Sequence, residues 1–390
     1  MRVKSGKTAG SRPPSQPRAS GVAAAHLSPE WLRDLRRSLR SWYRRHARDL
    51  PWRRTHDPYA IWISETMLQQ TQVATVIPYY ERFLASYPTI AALAAAPEAS
   101  VLRHWEGLGY YRRARQLHKA AQVLVNEHGG EFPRDIEQIH SLPGIGRYTA
   151  GAIVSFAFAE PAPIVEANTL RVYCRLLAFA GDPRSGAGQN LLWETAESWL
   201  PRRHAGEFNQ ALMELGSTVC KPREPACDEC PVLHLCPTRA AGLQDKIPAA
   251  AQPKNFESLR EAALVVRRKL KVLLVRRQEG ERWAGLWDFP RFAVTATKID
   301  GVQSELQQKL LETTGLDAAI GEKLVTYKHG VTRFRITLDC YAAEYMDDAP
   351  RIRRQPNGKD RAEVRWVKLT ELENFALPVT GRKLAKLISR

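Results

Sequence analysis

Apolar positions recur at helical spacing through the first part of the chain. Trp31, Leu35, Leu39 and Trp42 follow one another at intervals of three and four residues, which is the spacing of one buried face of a helix. Similar patterns continue to about residue 219, punctuated by Pro and Gly, with no long stretch of alternating polarity. The pattern predicts an all-α domain over residues 29–241.

The period changes after residues 242–256, a segment with Pro, Ala and Gln that is typical of an interdomain linker. Residues 262–266 and 271–275 are apolar, β-branched runs, and the basic stretch 267–269 between them predicts a hairpin. Two more strands and two helices are predicted downstream, the strands at 332–341 and 364–367 and the helices at 303–314 and 381–389. We therefore expect a multidomain protein whose second part, 257–390, is an α+β domain.

The chain of 390 residues carries 58 Lys and Arg against 41 Asp and Glu, a formal net charge of +17. Such an excess favours a polyanionic partner, most simply nucleic acid. No apolar run reaches the roughly 18 residues of a membrane span, so an integral membrane protein is excluded and no membrane partner is expected.

Residues 1–28 hold five basic side chains, no acidic one, and a middle rich in Ser, Pro and Gly. This composition predicts a disordered basic tail, because it offers too little apolar surface to offset the entropy of ordering. A mitochondrial transit peptide is the alternative, whereas a secretory signal is not expected because no apolar stretch is present.

Four of the six cysteines are crowded into residues 220–236. Cys220, Cys227, Cys230 and Cys236 have the spacing C-x6-C-x2-C-x5-C, which lets one loop fold its thiolates around a single centre and indicates a reducing compartment. Zinc is one candidate. An iron–sulfur cluster fits better, because zinc ribbons usually pair two C-x2-C units and only one is present here.

A Leu-Pro-Gly-Ile-Gly turn joins two helical patterns. Gly144 and Gly146 allow a backbone that exposes consecutive N–H groups, and a helix beginning near Arg147 adds the positive end of its dipole. These features predict a site for a backbone phosphate, against the alternative of an ordinary helix–turn–helix.

This helical hairpin followed by the cysteine loop resembles the helix–hairpin–helix DNA glycosylase superfamily. Within it, four segments look like the adenine DNA glycosylase branch: LPWR at 50–53, WISETMLQQTQV at 62–73, GLGYY at 107–111 and GLWDFP at 285–290. The resemblance implies a base-excision-repair enzyme with a 4Fe-4S cluster. It also implies a Nudix-like C-terminal domain and, as partner, double-stranded DNA with an adenine opposite 8-oxoguanine or guanine. We expect a monomer.

Removal of undamaged adenine calls for two carboxyl groups in different environments. Glu65 suits the acid, because at helical spacing its neighbours are Ile61, Trp62 and Leu68, and desolvation there should raise its pKa. A structural glutamate is the alternative. By resemblance, Glu166 is the stabilising carboxylate, although the family usually has Asp and the extra methylene adds a reach of about 1.5 Å.

The resemblance assigns roles to further positions. Tyr148 stands where related lyases have a lysine, so a monofunctional enzyme is expected, and Asn168 is placed with the catalytic residues. The resemblance also places Arg53, Leu68 and Gln70 at the flipped base and Tyr110 as a wedge in the stack. Three arginines follow on one stretch, Arg112, Arg113 and Arg115, and are expected at phosphates, with a solvated helix face as the alternative. Core packing is the alternative for Leu68 and Tyr110.

The C-terminal domain departs from the family in its lesion-reading loop. Val331-Thr332-Arg333 replaces the usual Phe-Ser-His, so Thr332 keeps a hydroxyl for the lesion and Arg333 offers a phosphate or base contact. A preference for 8-oxoguanine is expected but weakened. Of the carboxylates that a Nudix helix needs for Mg²⁺, residues 308–316 keep only Glu312, so nucleotide hydrolysis is not expected.

Three functions remain open from the sequence. The first is a monofunctional adenine glycosylase; the second is an endonuclease III-like or thymine-mismatch glycosylase; the third is a lesion-binding protein weakened in catalysis by Glu166. We expect a cytoplasmic, nucleoid-associated protein in a bacterium, and a mitochondrial or nuclear one in a eukaryote.

Overall fold

The computed structural model describes residues 28–250, 255–346 and 362–389. The predicted tail, 1–28, lies outside the described residues apart from Ser28, and so does part of the predicted linker, 251–254. Nothing in the described ranges forms a helix with the length and apolarity that crossing a bilayer requires.

The described chain before residue 250 is helical, as predicted. Its helices are α1 (Pro29–His46), α2 (Pro58–Leu68), α3 (Val73–Ser86), α4 (Ile90–Ala95), α5 (Glu98–His104), α6 (Arg112–His128), α7 (Ile136–Ser141), α8 (Arg147–Ala157), α9 (Ala167–Leu176), α10 (Gly186–Trp199), α11 (Ala205–Thr218) and α12 (Pro237–Ala240). Single 3₁₀ turns occur at Pro51–Arg53, Cys227–Glu229 and Leu233–Leu235.

Local sequence explains where α1 and α2 begin. The Ser28 hydroxyl accepts a hydrogen bond from the Trp31 N–H, and the Asp57 carboxylate accepts from the N–H groups of Tyr59 and Ala60 at 3.0 and 3.3 Å. Pro58 takes the first position of α2, where its missing N–H costs nothing. The predicted face of α1 is buried, whereas α2 is buried on every side from Tyr59 to Met67. A helix of that kind lies inside a domain.

The C-terminal part contains one sheet. Its strands are β1 (Glu257–Arg268), β2 (Lys271–Arg276), β3 (Trp287–Asp288), β4 (Arg291–Ala293), β5 (Ala318–Val331), β6 (Phe334–Tyr345) and β7 (Val364–Lys368). The order is β3-β2-β1-β6-β5, with β4 on β1 and β7 on β2. Strands β1 and β6 are parallel and the other pairs are antiparallel. The predicted hairpin is confirmed, with Arg267 opposite Val272.

Two helices cover opposite faces of this sheet. Helix α13 (Ile299–Thr314) packs through Leu306 and Leu310 against Leu264 of β1, and α14 (Val379–Ile388) packs through Leu384 against the other face, where the neighbouring Val265 lies. A 3₁₀ segment, Leu369–Asn374, precedes α14. The alternation of side chains along β1 gives each helix its own apolar layer, so the predicted α+β class is confirmed.

By packing, the chain divides into two compact units. The first joins the N-terminal segment up to Arg48 with Val154–Ala250 and contains the cysteine loop and Glu166. The second joins Asp49–Ile153 with the C-terminal sheet and contains Glu65, Tyr148 and Tyr110. This division follows packing rather than chain order, and the domain boundaries inferred from sequence stay predictions.

Candidate active site

Glu65 lies near the end of α2 with only 4% of its surface exposed. The hydroxyls of Ser64 and Thr66 on either side donate to the carbonyls of Ile61 and Trp62, both at 2.8 Å, so they are used within the helix. The predicted burial of Glu65 is therefore confirmed. A carboxyl group in this position pays a large desolvation cost unless a polar group contacts it.

Tyr148 supplies such a contact. It lies in the first turn of α8, and its phenolic hydroxyl donates a hydrogen bond to Oε2 of Glu65. From the sequence, Tyr148 was notable mainly because it stands where related lyases have a lysine. No local pattern predicts its contact with Glu65, which lies 83 positions earlier. The bond fixes the orientation of the carboxyl group.

A cavity of about 330 Å³ opens beside the end of α2. Three predicted site residues line it: Gln70, Tyr110 and Gly144. Tyr110 is 49% exposed, so core packing is the wrong interpretation for this ring, while Leu68 is half-buried. Arg53 is half-buried in the first 3₁₀ turn.

Arg113 also borders this cavity, but the prediction that it contacts phosphate is wrong. Its guanidinium donates to the carbonyls of Thr66 and Met67 at 2.8 and 2.9 Å and to that of Gly109 at 3.3 Å. Burial lowers the pKa of Arg113 to about 10. The residue closes the end of α2, where carbonyls lack helical partners, and it is a structural residue that the sequence did not reveal.

The predicted phosphate site lies at the start of α8. Gly144, Gly146 and Arg147 are all exposed there. Gly144 has φ +78°, and a Cβ atom at this position would lie 2.5 Å from Cβ of Gln116. Only glycine therefore fits this turn without strain, and the helix N-terminus faces the solvent as an anion site requires.

In the first unit, Glu166 caps α9. One carboxylate oxygen accepts from the N–H of Thr169 at 2.9 Å and the other from Nδ2 of Asn168 at 3.3 Å. The Glu166 N–H in turn donates to the Thr169 hydroxyl at 2.9 Å, which completes a capping box. The group is half-buried, and this burial raises the pKa of Glu166. The longer side chain thus folds so that its carboxylate contacts the first turn of α9, the helix that it precedes.

Asn168 connects this cap to the cysteine loop. Its Oδ1 accepts from Nη2 of Arg171 at 2.9 Å, and Nε of Arg171 donates to the carbonyl of Cys220 at 2.7 Å. Arg171 also donates to the carbonyl of Gly216 at 2.7 Å. The polar groups between Glu166 and the loop are therefore joined by direct hydrogen bonds.

Cys220, Cys227, Cys230 and Cys236 line one small cavity. Nη1 of Arg175 donates to Sγ of Cys220 at 3.2 Å, so a cation faces the thiols. Within the described ranges, no three His, Cys, Asp or Glu side chains are close enough to share one metal ion. Four thiols around one cavity are a donor set that fits an iron–sulfur cluster or another thiolate-bound metal centre.

Comparisons with known proteins agree with this arrangement. Residues 63–198 match the family described as HhH-GPD superfamily base excision DNA repair protein, and residues 262–387 match the NUDIX domain. An adenine DNA glycosylase of Rattus norvegicus is 34% identical over 412 residues, covering 90% of this chain and 77% of that protein. The chain belongs to the adenine DNA glycosylase family.

Further relatives support this assignment. The adenine DNA glycosylase of Mycolicibacterium smegmatis is 44% identical over 205 residues, which cover 52% of this chain and 69% of that protein. Among solved structures, a thermostable thymine-DNA glycosylase is 31% identical with a TM-score of 0.51, covering 54% of this chain and 97% of that one. The prediction of an adenine DNA glycosylase, a hydrolase of N-glycosidic bonds with a Nudix-like domain, is confirmed.

The predicted lesion-reading residues of this adenine DNA glycosylase lie at the exposed turn between β5 and β6. Thr332 adopts φ +51°, and its hydroxyl donates to the carbonyl of Val331 at 2.8 Å. Arg333 forms an exposed ion pair with Glu257 at 3.2 Å. Because of this turn, β6 begins at Phe334, two residues later than predicted.

The titration of Glu166 in this adenine DNA glycosylase has a measurable consequence. Burial raises its pKa above the ordinary 4.5, so the native state holds the proton more tightly than the unfolded chain. The stability that Glu166 contributes is fully present below pH 4.5 and is lost as the pH rises through its native pKa. Glutamine does not ionise and keeps an oxygen for the Thr169 N–H. We expect the stability of Glu166→Gln relative to the parent to increase between about pH 4 and about pH 8.

Urea denaturation at both pH values measures this difference. Glu194→Gln, an exposed position on α10, is the matched control and should show no such trend. A difference for Glu166→Gln that is constant or shrinks with pH would contradict the expectation.

Proposed function

We propose that the enzyme is monofunctional and removes adenine opposite 8-oxoguanine or guanine in duplex DNA by acid-assisted hydrolysis. The observation that carries this proposal is the buried Glu65 carboxyl group, held by the hydrogen bond from Tyr148. A carboxyl group in an apolar site retains a proton more readily than one in water. Glu65 is therefore suited to protonate the base.

The proposed reaction has three steps. Glu65 gives a proton to a ring nitrogen of the flipped adenine, which makes the base a better leaving group. The C1′–N9 bond then breaks, and its electron pair leaves with the base, so the sugar becomes an oxocarbenium ion. Water adds to C1′ and gives a proton to the Glu65 carboxylate, which restores the acid and leaves an abasic sugar in an intact strand.

Glu166 is proposed to stabilise the positive sugar, with Asn168 holding its carboxylate. In support, Asn168 and Thr169 both donate to Glu166 and fix its two oxygens. The same hydrogen bonds favour the ionised form, whereas burial opposes it. A largely buried carboxyl group whose two oxygens are both held by hydrogen bonds is typical of a functional site.

DNA is the proposed partner, and the exposed start of α8 is the proposed phosphate site. Gly144, Gly146 and Arg147 combine exposure to solvent with a helix N-terminus. The cavity at Gln70 and Tyr110 is proposed to receive the displaced base and the wedge. The half-buried Arg53 and Leu68 are proposed to contact the base. Base flipping needs an open, partly apolar pocket of this kind.

The four cysteines of the loop are proposed to hold a 4Fe-4S cluster. Their common cavity and the Arg175 contact with Cys220 support this, because they place four sulfur donors and a cation around one centre. When bound, the cluster would supply cross-links that order a loop with little regular structure. In the loop itself, the Cys220 carbonyl accepts from Arg171, and Arg171 in turn donates to Asn168.

Glu65→Gln removes the proton that the proposed step transfers while keeping the shape of the side chain. We expect single-turnover release of adenine from an A:G duplex to fall by about 100-fold or more, with the affinity for DNA nearly unchanged. Quenched-flow or gel analysis after alkali measures the rate. Glu131→Gln, exposed in the same unit, is the control, and equal rates for Glu65→Gln and the parent would overturn the proposed acid.

Tyr148 predicts the fate of the DNA strand. A phenol does not form a Schiff base with the sugar, so the strand should break only after alkali and borohydride should trap little covalent adduct. Gel analysis with and without alkali, together with borohydride trapping, measures both outcomes. A break without alkali or a high yield of adduct would support a bifunctional enzyme instead.

The turn at Thr332 and Arg333 is proposed to read the base opposite adenine. We expect faster adenine release opposite 8-oxoguanine than opposite guanine, and a severalfold smaller ratio in Thr332→Ala, because one hydrogen bond to the lesion is lost. Arg333→Ala should slow both substrates alike if it contacts phosphate. Lys328→Gln on β5 is the control for lost charge. Equal rates for the parent on both substrates would exclude a reading role.

A further inference from the structure

Arg382 of α14 reaches the loop that precedes Tyr110. Its Nε donates to Oε1 of Glu106 at 2.6 Å and its Nη2 to Oε2 at 2.9 Å. Glu106 is 9% exposed and Arg382 16%, so the pair is largely removed from water. This two-point geometry is specific to a guanidinium and a carboxylate.

Other bonds join the same two segments of the second unit. The Leu377 N–H donates to Oε2 of Glu106 at 3.1 Å, and the hydroxyl of Tyr111 donates to the Leu377 carbonyl at 3.3 Å. Arg103 adds a bond to the Glu373 carbonyl at 2.6 Å. The approach to α14 is therefore attached to both ends of the loop Glu106–Tyr111.

The backbone of this loop needs such attachments. Gly107, Gly109 and Tyr110 have φ values of +105°, +72° and +49°. The last value is in the left-handed region, which is strained for a non-glycine residue. The ring is half exposed, with the Arg113 guanidinium 5.5 Å from its centroid. The conformation of Tyr110 therefore depends on contacts made by its neighbours.

The loop is also attached to the helix that carries Glu65. Arg113 donates to the carbonyls of Leu108 and Gly109 at 3.4 and 3.3 Å, and with the same guanidinium to those of Thr66 and Met67. A displacement of the loop would therefore also disturb the end of α2. Arg382 thus joins α14 to Glu106 in the loop that contains Tyr110. Arg113 joins the same loop to the end of α2.

We propose that Arg382 is a positioning residue for adenine removal: by holding Glu106, it fixes the conformation of Tyr110 in the loop. The C-terminal domain thereby sets the geometry of base extrusion, in addition to any contact with the opposite base. This inference rests on the proposed role of Tyr110 as the wedge. A structural ion pair would stabilise the fold without acting through Tyr110, and this difference can be tested.

The test is single-turnover adenine release from an A:G duplex, with enzyme in excess and an adjacent 2-aminopurine reporting unstacking. Arg382→Gln should lower the rate by about 10- to 100-fold, because a shift of about 1 Å at a remote support can cost that much. Unstacking should slow in parallel, with little change in apparent Kd. Glu106→Gln should show the same effect from the other side of the pair.

Two further variants separate positioning from stability. Arg382→Lys keeps the charge without the planar fork and should recover part of the rate. Arg382→Gln should cause little additional loss in the Tyr110→Ala background, because both changes act at the wedge. Lys386→Gln, exposed on the same helix, should match the parent. Thermal melting of every variant checks folding.

Each outcome has a distinct meaning. If Tyr110→Ala releases adenine at the parent rate, the wedge role is wrong and the inference falls with it. If Tyr110→Ala is slow but Arg382→Gln matches Lys386→Gln, the inference alone is overturned. If the losses of Arg382→Gln and Tyr110→Ala multiply while the melting temperature falls, Arg382 is only structural.

Discussion

The candidate active site depends on a carboxyl group kept inside a helix that is buried on every side. Helix α2 has no solvent face between Tyr59 and Met67, so Glu65 cannot turn toward water as an amphipathic helix would allow. The tyrosine hydroxyl at Oε2 limits the cost of this burial without adding a charge. The same hydrogen bond fixes the orientation of the carboxyl group within the buried helix.

Glu166 shows how a longer side chain can serve at a position where the family usually has aspartate. Aspartate is a better N-cap than glutamate because its reach suits the N–H groups of the first turn. In this chain the cap is nevertheless formed, and Thr169 completes it by accepting from the Glu166 N–H. The side-chain cap and the Asn168 contact hold both oxygens. The added length is thus taken up locally and does not leave the carboxylate loose.

Local signals predicted much of this structure. Periodicity located α1, the change of period located the β1–β2 hairpin, and cysteine spacing identified four thiols that line one cavity. These local signals did not predict contacts between distant segments. Tyr148 and Glu65 are 83 positions apart, and Arg382 and Glu106 are 276 apart. No period or motif encodes such pairs, because they arise only when separate elements pack.

Arg113 shows why net charge is an incomplete guide to DNA binding. A run of arginines in a strongly basic chain was expected to meet phosphates, yet this one satisfies carbonyls at the end of α2. Arg382 is similarly committed to Glu106, and Arg171 to the carbonyls of Gly216 and Cys220. A guanidinium has five donors and keeps its charge when buried, so it suits positions where several carbonyls converge. These guanidinium groups keep their charge, but their donors are already used within the protein. Specificity must therefore come from geometry at sites such as the exposed start of α8.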